Sequence, residues 1–591
     1  MNEITRDLAD RLESADTRRH DLDALRAVAM LLGIALHAAL SFMDFPWVVQ
    51  DRYREPALGL FVAAIHGFRM PLFFLLSGFF TAMLWKKRGM GGLLRHRAKR
   101  IGLPLVLGCA TVVPVMWGTV VWAGSGNTTF GAAEADSGKD IWTAAAYGDL
   151  DALRGHVERG ASLDAEDPTY GHSPLGWAVL GDQRAAIGYL LDAGADPNAR
   201  YRDRNTALHT AAFFGRAKAA AKLLKAGADI NARNIHRETP LDSMRHNQGT
   251  TAFIAGLLQA PMDFKAVTAG RDRIRKMLVS RGAISGLAGP PEDPDPARQE
   301  SKGAAEGNPQ ARLGGLLFRL MESPFFHHLW FLWFLCWLVA GFAIVVVCAR
   351  PFPRIPVPLV LVATPLCLLW LVPLTMLTQS FMNWGGAMPG FGPDTSAGLV
   401  PMPHVLAHYA IFFGCGALVY GSPGAADRLG RGWWLQLPLA LLLAPAALAL
   451  ALHTPWGREL AGDDDTRRLL ANLGQVLFAW LMIFGLMGLF VTLLSRERPW
   501  VRYVSDSSYW LYLAHVPLII AGQAVLRSVD LPAIVKFTLL IAVATAILLV
   551  SYRLFVRYTW IGRLLNGPRH RAECSFGCMP PNASIHVRFG R

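Results

Sequence analysis

The chain has 591 residues, of which 52% are hydrophobic and 17% charged, with a mean hydropathy of +0.29. That balance excludes an ordinary soluble globule and fits a polytopic membrane protein carrying a soluble part. The net charge of +14 does not by itself call for nucleic acid, because Lys and Arg accumulate in the cytoplasmic loops of membrane proteins.

Residues 1–22 are polar and basic, and no small-residue cleavage pattern follows the first apolar run. A cytoplasmic N-terminus without a cleavable signal peptide is therefore expected. The first predicted span is 24–43, and it carries a cation near its start and an imidazole deep inside, Arg26 and His37. Eleven residues make about three turns plus 20°, so the two share one helix face roughly 16 Å apart. An ionisable residue inside a span is expensive and reads as a functional candidate. The second span lies within 57–85 and ends at Lys86, Lys87 and Arg88, before the basic stretch RGMGGLLRHRAKR. The third, 101–123, has 23 residues without a charge, which is long enough to cross.

From about 124 to 312 the chain turns polar and no segment could span. Within it, SPLGWAVLGD at Ser173, TALHTAAFFG at Thr206 and TPLDSMRHN at Thr239 recur at a spacing of 33. GASLDAED, GADPNARY and GADINARN, at Gly160, Gly194 and Gly227, follow the same rhythm. This pattern resembles the ankyrin repeat over about 139–260, with residues up to 283 as a further capping helix. Pro opens the first helix, Gly ends the second, and Asp or Asn shapes the turn. Residues 284–312 read as a disordered tether.

Hydrophobicity then returns, with predicted spans near 327–349, 356–378, 403–420, 434–453, 470–494, 506–526 and 531–553. The expected architecture is all-α: a transmembrane bundle of about ten spans with an inserted ankyrin solenoid. The basic connections fall on one face, which places both termini in the cytoplasm and the insert outside it. Cys109, Cys336, Cys348, Cys367 and Cys415 lie in apolar runs and imply no disulfide framework. Cys574 and Cys578 are four apart in a 566–591 tail read as unstructured; without a second pair they are weak evidence for a metal, and no metal site is expected.

Five motifs in order, LDALRAVAMLLGIALH, HGFRMPLFFLLSGFF, LLRHRAKRIGLP, HHLWFLWFL and SDSSYWLYLAHVP, resemble the acyltransferase 3 family of integral membrane acyltransferases, in its glucan-succinylating, glucans biosynthesis protein C-like branch. The resemblance covers about 20–123 and 324–560, and the Arg26–His37 spacing is its most diagnostic feature. It implies transfer of an acetyl- or succinyl-like group from cytoplasmic acyl-CoA to a hydroxyl of a cell-envelope carbohydrate on the outer side of the cell (inner) membrane. No permanently bound cofactor is implied. The ankyrin insert departs from the family pattern and bears on the acceptor more than on the reaction.

The residues suit that chemistry. A neutral His37 can take a proton from an attacking hydroxyl, or from a group that first accepts the acyl chain; its bland role is a helix-packing histidine. Arg26 can orient its neighbourhood or hold an anionic part of the donor, or merely snorkel. His66 and Arg69, three apart, can bind the acceptor or polarise the ester carbonyl. Arg97 and Arg100 can clamp CoA phosphates or be ordinary positive-inside charge. Ser508, Tyr512 and His515 make one polar stripe facing the interior near His37, as substrate contacts or as helix glue. His327 and His328 read as interfacial anchors beside Trp330 and Trp333.

No P-loop, GxSxG elbow or HExxH is present, which argues against an ATP-driven pump, a serine hydrolase or a zincin. Two rivals remain: a transporter using the same buried groups, and a membrane-anchored ankyrin scaffold that binds a protein partner.

Overall fold

The computed structural model describes residues 19–567 apart from 44–46, 126–139, 168–170, 202–203, 235–236, 247–250, 252–253, 256–257, 259, 261–262, 286–324, 352–357, 383–390, 453 and 497. The readings for the extreme N-terminus, the tether and the Cys574/Cys578 tail lie outside the described residues. Every regular element among those residues is helical.

Helix α1 (His20–Ala39) carries Asp21 and Asp23 in its first turn, where carboxylates complement the helix dipole. Helix α2 (Pro56–Arg97) starts at a proline, with the Glu55 carboxylate accepting from the Ala57 amide. At Gly89 the backbone leaves the helix (φ 69°, ψ 178°), a conformation glycine reaches without strain. A straight helix would hold Arg97 about 24 Å from Thr81. Instead Arg97 Nη2 donates to Thr81 Oγ1 at 2.8 Å, so the chain folds back at this glycine. It then runs on through Leu103–Ser125 (α3), whose later half packs in one cluster with Val48 and Val49 of the loop before α2.

Among the described residues eight helices are long and apolar enough to cross a membrane, with the folded-back run Pro56–Ala123 as one of them. The others after the insert are α12 (Trp330–Cys348, entered through a 3-10 turn at His327), α15 (Pro403–Gly421), α17 (Trp433–Ala451), α19 (Asp464–Leu494), α20 (Pro499–Leu526) and α21 (Ala533–Ser551, extended by a π turn). The segment expected to span at 356–378 is broken into α13 (Leu359–Ala363) and α14 (Leu368–Gln379). The break is at Thr364, which is extended, followed by Pro365, which has no amide proton to continue a helix. Short helices α16 (Ala425–Gly430), α18 (Pro455–Ala461) and α22 (Trp560–Leu565) lie between or after the long ones.

Small residues set the closest packing. A Cβ at Gly78 on α2 would collide with the Phe413 carbonyl on α15, and one at Gly416 on α15 would collide with the Leu75 carbonyl on α2. Lipid tails are as apolar as the side chains, so backbone approach of this kind is a main source of association between spans.

The insert is a repeat solenoid. Its helices pair as α4 and α5 (Ile141–Tyr147, Leu150–Glu158), α6 and α7 (Pro174–Leu180, Arg184–Asp192), and α8 and α9 (Ala207–Phe213, Ala217–Lys225). A fourth pair combines α10 (Pro240–Ser243) with the longer α11 (Phe264–Val279). One polar position per repeat ties each to the next. Asp164 accepts from the Asp196 amide at 3.0 Å, Asn198 from the Asp229 amide at 2.7 Å, and Asn231 from the Ile284 amide at 2.9 Å. The third bond identifies α11 and the Gly282-Ala283 turn as the second half of a repeat.

The two ends of the bundle differ. Arg26, Arg97, Arg100, Ser505 and Asn566 are linked at one end, where Arg26 donates to Ser505 Oγ, Tyr509 to the Arg100 carbonyl, and Asn566 to the Asp506 carbonyl. Val48 and Val49, the end of α3 and the insert meet at the other, where Ser41, just after α1, donates to the Val49 carbonyl.

Candidate active site

His37 sits in the last turn of α1 and lines a cavity of about 400 Å³ at the end of the bundle where the insert lies. That volume is in the range of a small-ligand site. Its walls come from separate stretches of chain: Met30, Gly33 and His37 on α1, His66 and Arg69 on α2, Trp117 at the end of α3, His327 and His328 before α12, and Tyr512 and His515 on α20.

The imidazoles form a cluster. The His37 ring lies 5.1 Å from that of His515, and the His515 ring 6.0 Å from that of His328. His515 Nδ1 is within 3.0 Å of the Leu511 carbonyl and 2.8 Å of the Tyr512 carbonyl. Carbonyls only accept, so the proton is on Nδ1 and Nε2 of the neutral ring keeps its lone pair. His328 Nε2 lies 3.2 Å from the Leu513 carbonyl, which fixes its tautomer in the opposite sense. Nδ1 of His37 and of His328 is buried and has no hydrogen-bond partner among the described residues.

Two residues the sequence did not single out hold His37. Gln523 donates to the His37 carbonyl at 2.9 Å and accepts from the Trp47 indole at 2.8 Å. Trp47 in turn lies over the imidazole, with ring centroids 6.1 Å apart and planes 29° from parallel. Gln523 is eight residues beyond His515 on α20, two turns and a little more; that spacing was the available signal.

Arg69 reaches the same face. Its guanidinium occupies the space over Gly33, where a Cβ would collide with Nη1. Gly33 is one turn before His37 on α1. No carboxylate is paired with Arg69 among the described residues, its Nε has no hydrogen-bond partner there, and its Nη2 lies 3.7 Å from the Met70 sulfur. A buried guanidinium without a counter-ion, facing a cavity, is arranged for an anion or a developing negative charge.

The structure distributes the expected site residues over two ends of the bundle. Arg26 does not line the cavity. Although it shares a helix face with His37, it lies at the far end of α1, where it donates to Ser505 Oγ at 2.9 Å and pairs with Asp23 at 3.2 Å. Ser508 is buried but spends its hydroxyl on the Ser505 carbonyl of its own helix, at 2.7 Å, and is not in the cavity wall. The serine of this stripe that meets a partner is Ser505, one turn earlier. Tyr512 does line the cavity, but its hydroxyl donates to the His328 carbonyl at 2.6 Å, so it holds the α12 entry in place. His66, Arg69 and His515 are brought together with His37. His327 and His328, expected as interfacial anchors, line the cavity instead, with His327 Nε2 3.2 Å from the Trp117 indole. Arg97 and Arg100 stay with Arg26 at the opposite end, outside the cavity. No group of three potential metal ligands occurs among the described residues.

Comparison with known proteins fits this arrangement. Residues 141–234 match the description Ankyrin repeats (3 copies). Glucans biosynthesis protein C of Escherichia coli strain SMS-3-5 is 36% identical over 99 residues, and that of strain K12 is 35% identical over the same length. The match spans 17% of this chain and 25% of each relative's length. A solved structure of the ankyrin repeat domain of Bcl-3 is 31% identical, covering 19% of this chain and 49% of that one, with a TM-score of 0.17. Residues 19–148 and 299–553, together more than half of the chain, match the family described as Acyltransferase domain, and the protein belongs to that acyltransferase 3 family.

Proposed function

We propose that the protein O-acylates a cell-envelope glycan, taking an acetyl- or succinyl-like group from acyl-CoA through a bundle of about ten spans with cytoplasmic termini and an extracytoplasmic insert. The observation that carries this reading is that His37, whose buried Nδ1 has no hydrogen-bond partner among the described residues, and Arg69, which has no paired carboxylate there, line one cavity. His37, held by Gln523 and Trp47, accepts the proton of the acceptor hydroxyl as its oxygen attacks the thioester carbonyl. The carbonyl oxygen gains negative charge in that step, and Arg69 lies where it would stabilise it. The new C–O bond forms, the C–S bond breaks, and the proton passes from His37 to the departing CoA thiolate. His515, with Nε2 free, is placed to share that proton.

Arg26, Arg97 and Arg100 supply the donor side. Guanidinium groups suit the phosphates of CoA, and the roughly 16 Å along α1 between Arg26 and His37 is the interval that the pantetheine arm would bridge. The relatives' name, glucans biosynthesis protein C, supports a glucan acceptor.

Purified protein in nanodiscs, incubated with acetyl-CoA or succinyl-CoA and glucan oligosaccharides, should release free CoA and yield an esterified sugar of matching mass. Both signals should disappear in His37→Ala. Sugar movement across a vesicle membrane without CoA release would support a transporter instead.

A further inference from the structure

Ankyrin repeats ordinarily present their face to a separate protein. Here part of that surface is already occupied. Leu180 at the end of α6, Phe214 after α8 and Val267 on α11 belong to one buried apolar cluster with Val48, Met116, Val120, Val516 and Ile520 of the membrane part. Leu180 is 0% exposed, Phe214 2% and Val267 3%. None of the three belongs to the insert's own core cluster, which is built from residues such as Leu175, Leu190, Leu208 and Leu223. Trp177 and Phe213 pack on the same cluster from the insert side, and Trp47 and Trp117 from the membrane side.

The membrane half of this cluster is also cavity wall. Trp47, Val48, Met116, Trp117, Val120, Val516 and Ile520 all line the space that holds His37. The same side chains therefore face the reacting groups on one side and the insert on the other.

We propose that Leu180, Phe214 and Val267 are positioning residues for the acceptor site: none of them lines the cavity, but the docked insert backs its wall and holds it inward, so that a slender glycan end is admitted and a bulky chain is refused. This rests on the acyl-transfer reading above. The cavity supports it, since about 400 Å³ holds a ligand of small-molecule size. Apolar contact suits a wall that must exclude without binding. A carboxylate placed in the cluster would be buried without a partner and should undock the insert.

The test uses the full chain in nanodiscs and the double variant Leu180→Asp/Phe214→Asp. Hydrogen exchange in α8 and α9 reports whether the solenoid is still folded, and Val267→Asp serves as the second variant if it is not. In the first arm, transfer from succinyl-CoA or acetyl-CoA is measured to methyl glucoside and to a long linear glucan. Undocking should raise the glucan-to-monosaccharide ratio by tenfold or more; an unchanged or lower ratio with transfer intact overturns the proposal. The second arm needs no activity. A cysteine placed at Met30, inside the cavity, is labelled with a small methanethiosulfonate or a polymer-bearing maleimide, and the modified peptide is identified by mass. Undocking should speed the large reagent at least tenfold and leave the small one within twofold. Equal access of the large reagent with the insert docked or undocked overturns the proposal. Loss of all transfer in the unmodified protein, with size-selective labelling intact, would instead count against the acyl-transfer reading alone.

Discussion

The bundle and the insert are both helical, yet they treat their polar groups in opposite ways. In the insert the recurrent polar residues close local circuits. Thr206 and His209 bond reciprocally, at 3.1 Å from the Thr206 amide and 3.0 Å from its hydroxyl to the ring, and the same ring reaches the Glu238 carbonyl of the next repeat at 3.0 Å. Thr239 and Asp242 repeat the arrangement at 3.1 and 3.0 Å. Helices of seven to nine residues such as α6 to α9 would not persist alone in water, so caps and nearest-neighbour packing carry them. In the bundle the spanning helices are long and mostly apolar. Three polar atoms that face the cavity, His37 Nδ1, Arg69 Nε and His328 Nδ1, have no partner among the described residues. An unsatisfied polar atom is expensive inside a bundle, which marks these three as functional candidates.

The largest effect that would sharpen this contrast is at His37. His37→Ala should lower acyl transfer by about 10²- to 10⁴-fold while thermal unfolding of both regions stays near wild type; an active variant would make the imidazole a packing residue. Next comes a bundle pair that is closed rather than open. Lys536 and Asp51, 0% and 2% exposed at the side chain, are joined at 2.7 Å. Lys536→Ala should destabilise the membrane part by about 3–5 kcal/mol, because it strands a buried carboxylate, and Asp51→Asn with Lys536→Met should recover much of that loss. Guanidine titration in detergent, followed by tryptophan emission, would check both.

At Arg69 the expected loss is about 10²- to 10³-fold in kcat for Arg69→Met, with little change in stability. Gly33→Val should reproduce the defect without touching the arginine, because its side chain takes the space of the guanidinium. A normal rate in Gly33→Val would show that Arg69 works from another position. The smallest effect is in the insert, where Thr206→Ala should cost about 1 kcal/mol, seen as faster hydrogen exchange confined to α8 and α9 with the transfer rate unchanged.

Much of this was legible in the chain. The 33-residue period fixed the solenoid, since each repeat must present the same cap and ladder residues to its neighbour. The fourth repeat was harder to see, because residues 244–263 separate its two helices; its signal was the Arg-Gly-Ala of residues 281–283, an echo of Lys-Ala-Gly-Ala at 225–228. Long apolar runs marked the spanning helices, except where Thr364 and Pro365 broke one into two. Arg97 and Arg100 were recognised as a basic group, but the turn at Gly89 that carries Arg97 back to Thr81 was not.

By itself the sequence determined which segments are helical, that a repeat module interrupts a membrane protein, and that His37 must face protein rather than lipid. Spacing along one helix reports a shared face, so it paired His37 with Arg26, three turns away on the same rod. Only the tertiary structure decided that Arg69 and Gln523 lie beside that imidazole, and that the insert packs behind the wall of its cavity. Contacts between helices depend on how the rods cross and which small residues let them approach, and no periodicity within a single rod carries that information.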